Sequence, residues 1–281
     1  MELKKNGIME YVAGRSNLAC TIFVPYDCDN NCPFCTSKWM YRESGIKMDI
    51  DKIIEMIKIV NLSKTVMEFV ITGGEPTANL DMLKRIVRAC DKPVYINTTL
   101  PKKNIDNVIR YINTEHKIFG VNISRQFGKL NNLYKFIASP EDLKKLRKPV
   151  RINVMRTNVW KKELDSFMET WLLNKHFLLN LREDYRYITN ENLKVRNEVV
   201  DYLAEKYVYI GSGGCMVCNG ETFVNPETDK FIHYHRGIEH SCVRFESKTY
   251  INDLIIRPDG KAFDDWDWSV ELNGEIIQKI K

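Results

Sequence analysis

The amino-acid sequence predicts an α/β protein: a partial, TIM-like (β/α)6 barrel with a small C-terminal α+β cap. Three observations predict it. Between residue 18 and about residue 210, strand-like runs alternate with helix-like segments in six consecutive units, which requires parallel strands joined by right-handed crossovers. A Gly-Ser-Gly-Gly run at 211–214 then breaks the alternation. Beyond it the composition shifts, with three of the eight cysteines and three of the five histidines in the last quarter of the chain. The boundary falls near residue 208, giving a barrel over 1–208 and a cap over 209–281.

Each element has its own signal. "LACTIFV" (18–24) is apolar and β-branched, and Ile50, Ile53, Ile54 and Ile57 recur at helical spacing after a cysteine-bearing loop. "TVMEFVIT" (65–72) reads as the second strand, and Leu80, Leu83, Ile86, Val87 and Cys90 stripe the helix behind it. "PVYIN" (93–97) precedes a helix carrying Ile105, Val108, Ile109 and Ile112. "KIFGVNIS" (117–124) leads to "SPEDLKKL" (139–146), with Ser139 as N-cap, Pro140 at the first helical position and Asp142 closing a capping box. "VRINVM" (150–155) feeds a helix with Leu164, Phe167, Met168 and Trp171, and "HFLLNL" (176–181) feeds one with Leu193, Val199, Val200 and Leu203. In the cap, "RPDG" (257–260) between "YINDLII" and "KAFDDWDW" reads as a hairpin.

With 281 residues, 44% of them hydrophobic, the chain can bury a large core. It has no apolar run long enough for a membrane span, and "MELKKNGIME" lacks the apolar stretch of a secretory signal, which points to the cytoplasm. The formal charge is only +5 and the cations are scattered, which suits a small-molecule partner better than nucleic acid. Eight cysteines are too few for a disulfide scaffold, and their clustering favours metal binding in a reducing compartment.

The sharpest cluster is Cys28-x3-Cys32-x2-Cys35, in the loop after the first strand. Three thiolates can hold a four-iron cube with one iron left open, or a zinc knuckle completed from elsewhere. After the second strand, at the same rim, comes Gly73-Gly74-Glu75-Pro76, where paired glycines admit a ligand and a carboxylate can receive an ammonium. In a parallel barrel, reactive groups gather at this C-terminal rim.

Together these motifs resemble the radical S-adenosylmethionine (SAM) superfamily, whose signature is C-x3-C-x2-C with an aromatic residue, here Phe34, before the third cysteine. The resemblance covers residues 18 to about 185. It implies that Cys28, Cys32 and Cys35 hold a 4Fe–4S cluster, that the open iron chelates SAM, and that one-electron reduction yields a 5′-deoxyadenosyl radical that abstracts hydrogen from substrate. It further implies an electron donor such as flavodoxin or ferredoxin. By the same resemblance Glu75 receives the SAM ammonium, Gly73 and Gly74 give backbone access, and Phe34 lies near the adenine. Asn97 and Thr98 stand where the family has a "TNG"-like element, though "NTT" departs from it. Ser124 occupies a ribose or carboxylate position and Asn153 a SAM-bonding position. Arg125, Arg182, Glu183 and Asp184 end strands where substrate should sit.

Cys215-x2-Cys218 followed by Cys242 resembles the "twitch" cap of certain superfamily members, among them the molybdenum-cofactor GTP cyclase, which binds an auxiliary 4Fe–4S cluster. The 23-residue gap is longer than usual, and the ending "EIIQKIK" lacks that enzyme's glycine pair. Zinc held by Cys215, Cys218 and two of His233, His235, His240 or Cys242 fits the same residues, as do unmetallated thiols. His233 and His235 alternate on one strand face toward substrate, with Arg236 on the other. Trp266 and Trp268 read as packing, Cys20 and Cys90 as buried hydrophobes, and His116 and His176 as structural or surface groups. The expectation is a small substrate, by analogy with the twitch-capped enzymes a nucleotide-derived one. The competing readings are an electron-transfer or metal-stabilised binding protein, or an enzyme acting on RNA or peptide, the last without a visible leader-binding segment ahead of the first strand.

Overall fold

The computed structural model describes residues 10–24, 28–35, 37–38, 45–134, 137–174, 176–183, 192–214, 219–235, 242–266 and 270–281; at 129, 130, 133, 192–197, 214 and 219 it describes the backbone alone. Strands and helices follow in the order β1 (Glu10–Ala13), β2 (Leu18–Val24), α1 (Ile50–Asn61), β3 (Val66–Gly73), α2 (Leu80–Ala89), β4 (Val94–Thr98), α3 (Ile105–Thr114) and β5 (Ile118–Ser124). Next come α4 (Pro140–Leu143), β6 (Val150–Met155), α5 (Trp160–Trp171), β7 (Phe177–Arg182), α6 (Asn192–Lys206), β8 (Val208–Gly214), β9 (Asn219–Val224) and β10 (Phe231–His235). The chain closes with β11 (Cys242–Phe245), β12 (Lys248–Ile251), β13 (Asp253–Ile256), β14 (Ala262–Phe263), β15 (Glu271–Leu272) and α7 (Gly274–Gln278).

The six strand–helix units are β2–α1 to β7–α6. Their helices start where short polar side chains take up free N–H groups: Asp49 caps α1, Asn79 caps α2, and Ser139 with Asp142 forms a full capping box on α4. Each buries one stripe, such as Met82, Leu83, Ile86 and Val87 of α2, against the outward face of the sheet.

The main sheet has twelve strands in the order β15-β14-β13-β2-β3-β4-β5-β6-β7-β10-β9-β8 and stays open. Its centre, from β13 to β10, is parallel throughout, and the outer strands on both flanks are antiparallel. This is the α/β architecture with a partial barrel that the alternation predicts. The C-terminal segment, expected as a small cap, adds strands to both flanks of the barrel sheet: β10 pairs with β7, and β13 pairs with β2. The expected hairpin across "RPDG" is β13–β14. Strands β11 and β12 join β1 in a separate three-stranded sheet. The chain ends are laced together, since Ala13 N donates to Lys281 O at 2.7 Å and Lys281 N to Tyr11 O at 3.1 Å.

One face of the parallel strands packs apolar residues such as Ile96, Ile123, Ile152 and Leu179, all 0% exposed, in the core that the helices cover. The alternate face carries Asn97, Asn122, Asn153, Asn180 and His233 on successive strands. A strand of a parallel sheet buried on both faces is ordinarily apolar throughout, and these strands depart from that pattern on one face. Among the described residues no helix is long and apolar enough to cross a membrane.

Candidate active site at the strand ends

The cysteine loop departs from the end of β2, and Gly73 fixes that departure. Its φ is +122°, and an added Cβ would stand 2.3 Å from the Val24 carbonyl oxygen, so β3 can hug the last residue of β2 only with glycine there. Gly74 follows, half-buried. Glu75 then caps the short turn Pro76–Ala78, accepting from Thr77 N at 3.1 Å.

Glu75 is almost wholly buried and gathers a shell of threonines. Its Oε1 also accepts from Thr77 Oγ1 at 2.6 Å and from Thr98 Oγ1, while Oε2 accepts from Thr99 N and Thr99 Oγ1, both at 2.7 Å. Asn30, inside the cysteine loop, donates its side-chain amide to Thr99 Oγ1 at 3.3 Å. The two sequence motifs thus meet through Thr99.

Cys28, Cys32 and Cys35 are half-buried free thiols, with Phe34, also half-buried, between the last two. Cys35 N donates to Cys32 O at 3.2 Å, tightening the loop. Nearby polar groups partly offset the burial of each thiol: Asn30 at Cys28, Tyr134 at Cys32, and Ser37 and Lys38 at Cys35. Burial pushes all three thiols up, Cys32 to about 12, with the neighbouring Cys35 and Cys28 adding to it.

This donor set fits an iron–sulfur cube. Among the described residues no three ligand side chains converge on a single ion position. A cube does not ask them to, because each thiolate binds a different iron corner, and hydrogen bonds to the sulfurs stabilise their charge. Cys28, Cys32 and Cys35 would hold the cluster.

The remaining expected residues sort by position. Asn97 accepts from Asn122 Nδ2, and Asn153 from Asn180 Nδ2, both at 2.7 Å. Ser124 ends β5 beside Asn153 of β6, half-buried. Arg182 ends β7 in register with His235, and Glu183 accepts from Tyr234 Oη at 2.8 Å and pairs with Arg156 Nε at 2.5 Å. His233 Nδ1 lies 3.1 Å from Thr222 Oγ1, and the His233 and His235 rings are 6.1 Å apart. Burial pushes His235 down to about 3, with Arg182 and His233 further opposing its charge. The two histidines share a face, as their spacing predicts.

Other residues sit away from where the sequence suggests. Arg125, expected to face an anionic group of the substrate, is 0% exposed. Its guanidinium donates to the carbonyls of Thr99 (2.8 Å), Ser124 (2.7 Å) and Ala138 (3.0 Å) and lies 4.7 Å from the centre of the Trp171 ring. Cys242 is buried at the start of β11, its thiol donating to Asp265 Oδ2 at 3.3 Å. Asp184, Cys215, Cys218, Arg236, His240 and Trp268 lie outside the described residues. In agreement with the sequence reading, Trp266 packs edge-on against Phe23, and Cys20 and Cys90 are fully buried.

Sequence reasoning missed Thr99, Asn122, Gln126, Tyr134, Asn180 and Thr222. A signal existed for two of them: "YIN", "VNI", "INV" and "LLN" each place one asparagine within the apolar run of successive strands. Tyr134 and Gln126 carried none, because only the tertiary fold buries them and brings them together.

Residues 22–155 match the family model described as the Radical SAM superfamily. Among solved structures, Streptococcus suis SuiB bound to S-adenosylmethionine is similar at 16% identity and a TM-score of 0.58, over 92% of this chain and 63% of that one. SuiB bound to the precursor peptide SuiA gives 17% identity and a TM-score of 0.57, over 88% and 58%. Polyhistidine-tagged anSMEcpe with bound AdoMet gives 13% and 0.58, over 93% and 78%. The chain therefore spans about three fifths of the length of the SuiB chains it matches. Among curated proteins, none is similar enough in sequence to count as a relative. The cysteine trio, the glycine-rich turn at the next strand end and the family match agree on one stretch of the chain: residues 22–155 carry a radical SAM domain.

Proposed function

We propose that this chain cleaves SAM reductively and uses the resulting 5′-deoxyadenosyl radical to take a hydrogen atom from a small polar substrate. The observation that carries the reading is that the loop of three half-buried thiols meets the Glu75 shell through Asn30 and Thr99. When bound, the 4Fe–4S cluster supplies one electron to the SAM sulfonium. This chain's residues do the rest. Gly73 and Gly74 leave backbone open to the methionine part, and Phe34 flanks the adenine. Glu75 offers its carboxylate to the ammonium. A carboxylate has about four acceptor positions, so the ammonium enters by exchange with a threonine hydroxyl. Asn97, Thr98, Ser124 and Asn153 line the SAM side of the polar wall. Arg182, Glu183, His233 and His235 line the substrate side, where Asn180 Oδ1 and His235 Nδ1 are buried with no hydrogen-bond partner among the described residues.

A second reading, a peptide substrate, is favoured by the fold-level likeness to SuiB bound to its precursor peptide. Cys215, Cys218 and Cys242 would take an auxiliary 4Fe–4S cluster or, with a histidine, zinc. A flavodoxin- or ferredoxin-type donor would supply the electron.

The test is anaerobic incubation of iron- and sulfide-reconstituted protein with SAM and dithionite. 5′-Deoxyadenosine and methionine are expected in equal amounts, and none forming at an intact cluster overturns the proposal. Iron counts in a C28A/C32A/C35A variant address the second centre: about four irons retained support an auxiliary cluster, and zinc alone rejects it.

A further inference from the structure

The chain leaves β4 through a strained turn. Leu100, 0% exposed, has a φ of +52°, a left-handed backbone that a leucine adopts only under constraint. Its N–H donates to Thr98 Oγ1 at 2.7 Å, and its carbonyl accepts from Ala138 N at 2.8 Å. Arg125 supplies a third hold. One guanidinium nitrogen bridges the carbonyls of Thr99 and Ser124, and the other reaches that of Ala138. The Arg125 N–H donates to Asn153 O at 2.9 Å, which fixes the residue itself on β6. Burial lowers its pKa to about 10, so it is still a cation at neutral pH. Among the described residues it bonds no carboxylate, and a buried charge that is costly to desolvate is directed at main-chain carbonyls. Separate neutral donors could satisfy three carbonyls, but a planar fork also fixes where they stand relative to one another.

Thr99 is the neighbour of the strained residue. Its N–H and its hydroxyl are, among the described residues, both of the hydrogen bonds to Glu75 Oε2. Through it Asn30 of the cysteine loop also meets Glu75. We propose that Arg125 is a positioning residue for SAM: by gripping the Thr99 carbonyl it keeps the turn after β4 in the shape in which Thr99 aligns Glu75 with the cysteine loop. The inference rests on the reading of Glu75 as acceptor of the SAM ammonium. Arg125 touches neither SAM nor the cysteines in this role and acts only through Thr99.

The test is a SAM titration of the reconstituted, dithionite-reduced full chain, read from the change that SAM causes in the EPR signal of the cluster. Arg125→Lys keeps the charge but replaces the fork by a point ammonium. It should keep its iron content and need about tenfold more SAM for half conversion, the size of one misplaced hydrogen bond to a charged group. An unchanged requirement at full iron overturns the inference. Leu203→Ala, a core truncation in α6, should lower the denaturation midpoint and leave the SAM requirement as it is. An equal shift in that variant would mean general loosening and overturns the positioning role. If Arg125→Lys does not fold, Thr99→Val decides: it removes the hydroxyl that joins Glu75 to Asn30 and should shift the titration in the same direction, whereas no shift overturns the role. Failure of the underlying reading shows differently, as a loaded wild-type cluster whose signal ignores SAM or a Glu75→Gln variant that titrates as wild type does, and either result overturns both.

Discussion

Gly73 leaves no room for a side chain, and this constraint precedes any ligand. Gly73→Ala places a methyl against the Val24 backbone in a conformation that L residues avoid, so we predict a loss of at least about 1–3 kcal/mol in chemical denaturation. An unchanged midpoint would mean that β2 and β3 shift apart freely. His235 yields a second prediction at this scale. The unfolded chain binds a proton at this residue below about pH 6.5, whereas the folded chain holds it neutral down to about 3. The unfolded state therefore binds more protons across that window, and stability falls as pH drops through it, by up to about 1.4 kcal/mol per pH unit. Urea midpoints from pH 7 to 5 should show this slope, and His235→Asn should flatten it; equal slopes would mean the ring is solvated. The reactive residues were legible in the sequence because Cys28, Cys32, Cys35 and Glu75 stand in local motifs. Thr99, Gln126 and Tyr134 were not, since their partners lie far along the chain. Arg125 read as a ligand-facing charge because sequence shows a strand end but not which way a long side chain folds back.

Elements were legible wherever pattern and caps agree. "LACTIFV" and "VRINVM" coincide with β2 and β6, residue for residue. The capping box at Ser139 is present in full, with Asp142 N donating to Ser139 Oγ at 3.3 Å and Ser139 N to Asp142 Oδ2 at 3.0 Å. It starts the four-residue helix α4, too short to hold itself by propensity. Ser139→Ala should cost about 1 kcal/mol, read as a lowered urea midpoint with the slope kept; no loss would assign α4 to packing of Leu143 alone. The parallel pairing of β10 with β7 and of β13 with β2 escaped sequence reading. Strand propensity marks a segment as extended without naming its neighbour, and the helix-linked crossovers that identify β2–β7 as successive neighbours are missing after β9.

At the scale of the molecule, those two pairings decide how the chain holds together. If the segment after residue 208 were a detachable cap, the barrel sheet would end at β2 and β7. Instead β13 lies on β2 along Ala19–Ile22, and Thr21 Oγ1 donates to Asp253 Oδ2 at 2.8 Å across that seam. On the far flank β10 covers β7 from Leu178 to Arg182. The strand that carries the cysteine loop is therefore an interior strand of the sheet only because the C-terminal segment is in place. A chain cut after Tyr207 would expose the edges of β2 and β7, with unpaired N–H and C=O groups and apolar side chains, the arrangement that drives edge-to-edge aggregation. We predict that residues 1–207 are insoluble or partly unfolded, and that the full chain unfolds in one cooperative transition, with near-UV and far-UV circular dichroism traces superimposing. A soluble 1–207 fragment with native-like dichroism, or two separated transitions in the full chain, would show that barrel and C-terminal segment fold independently.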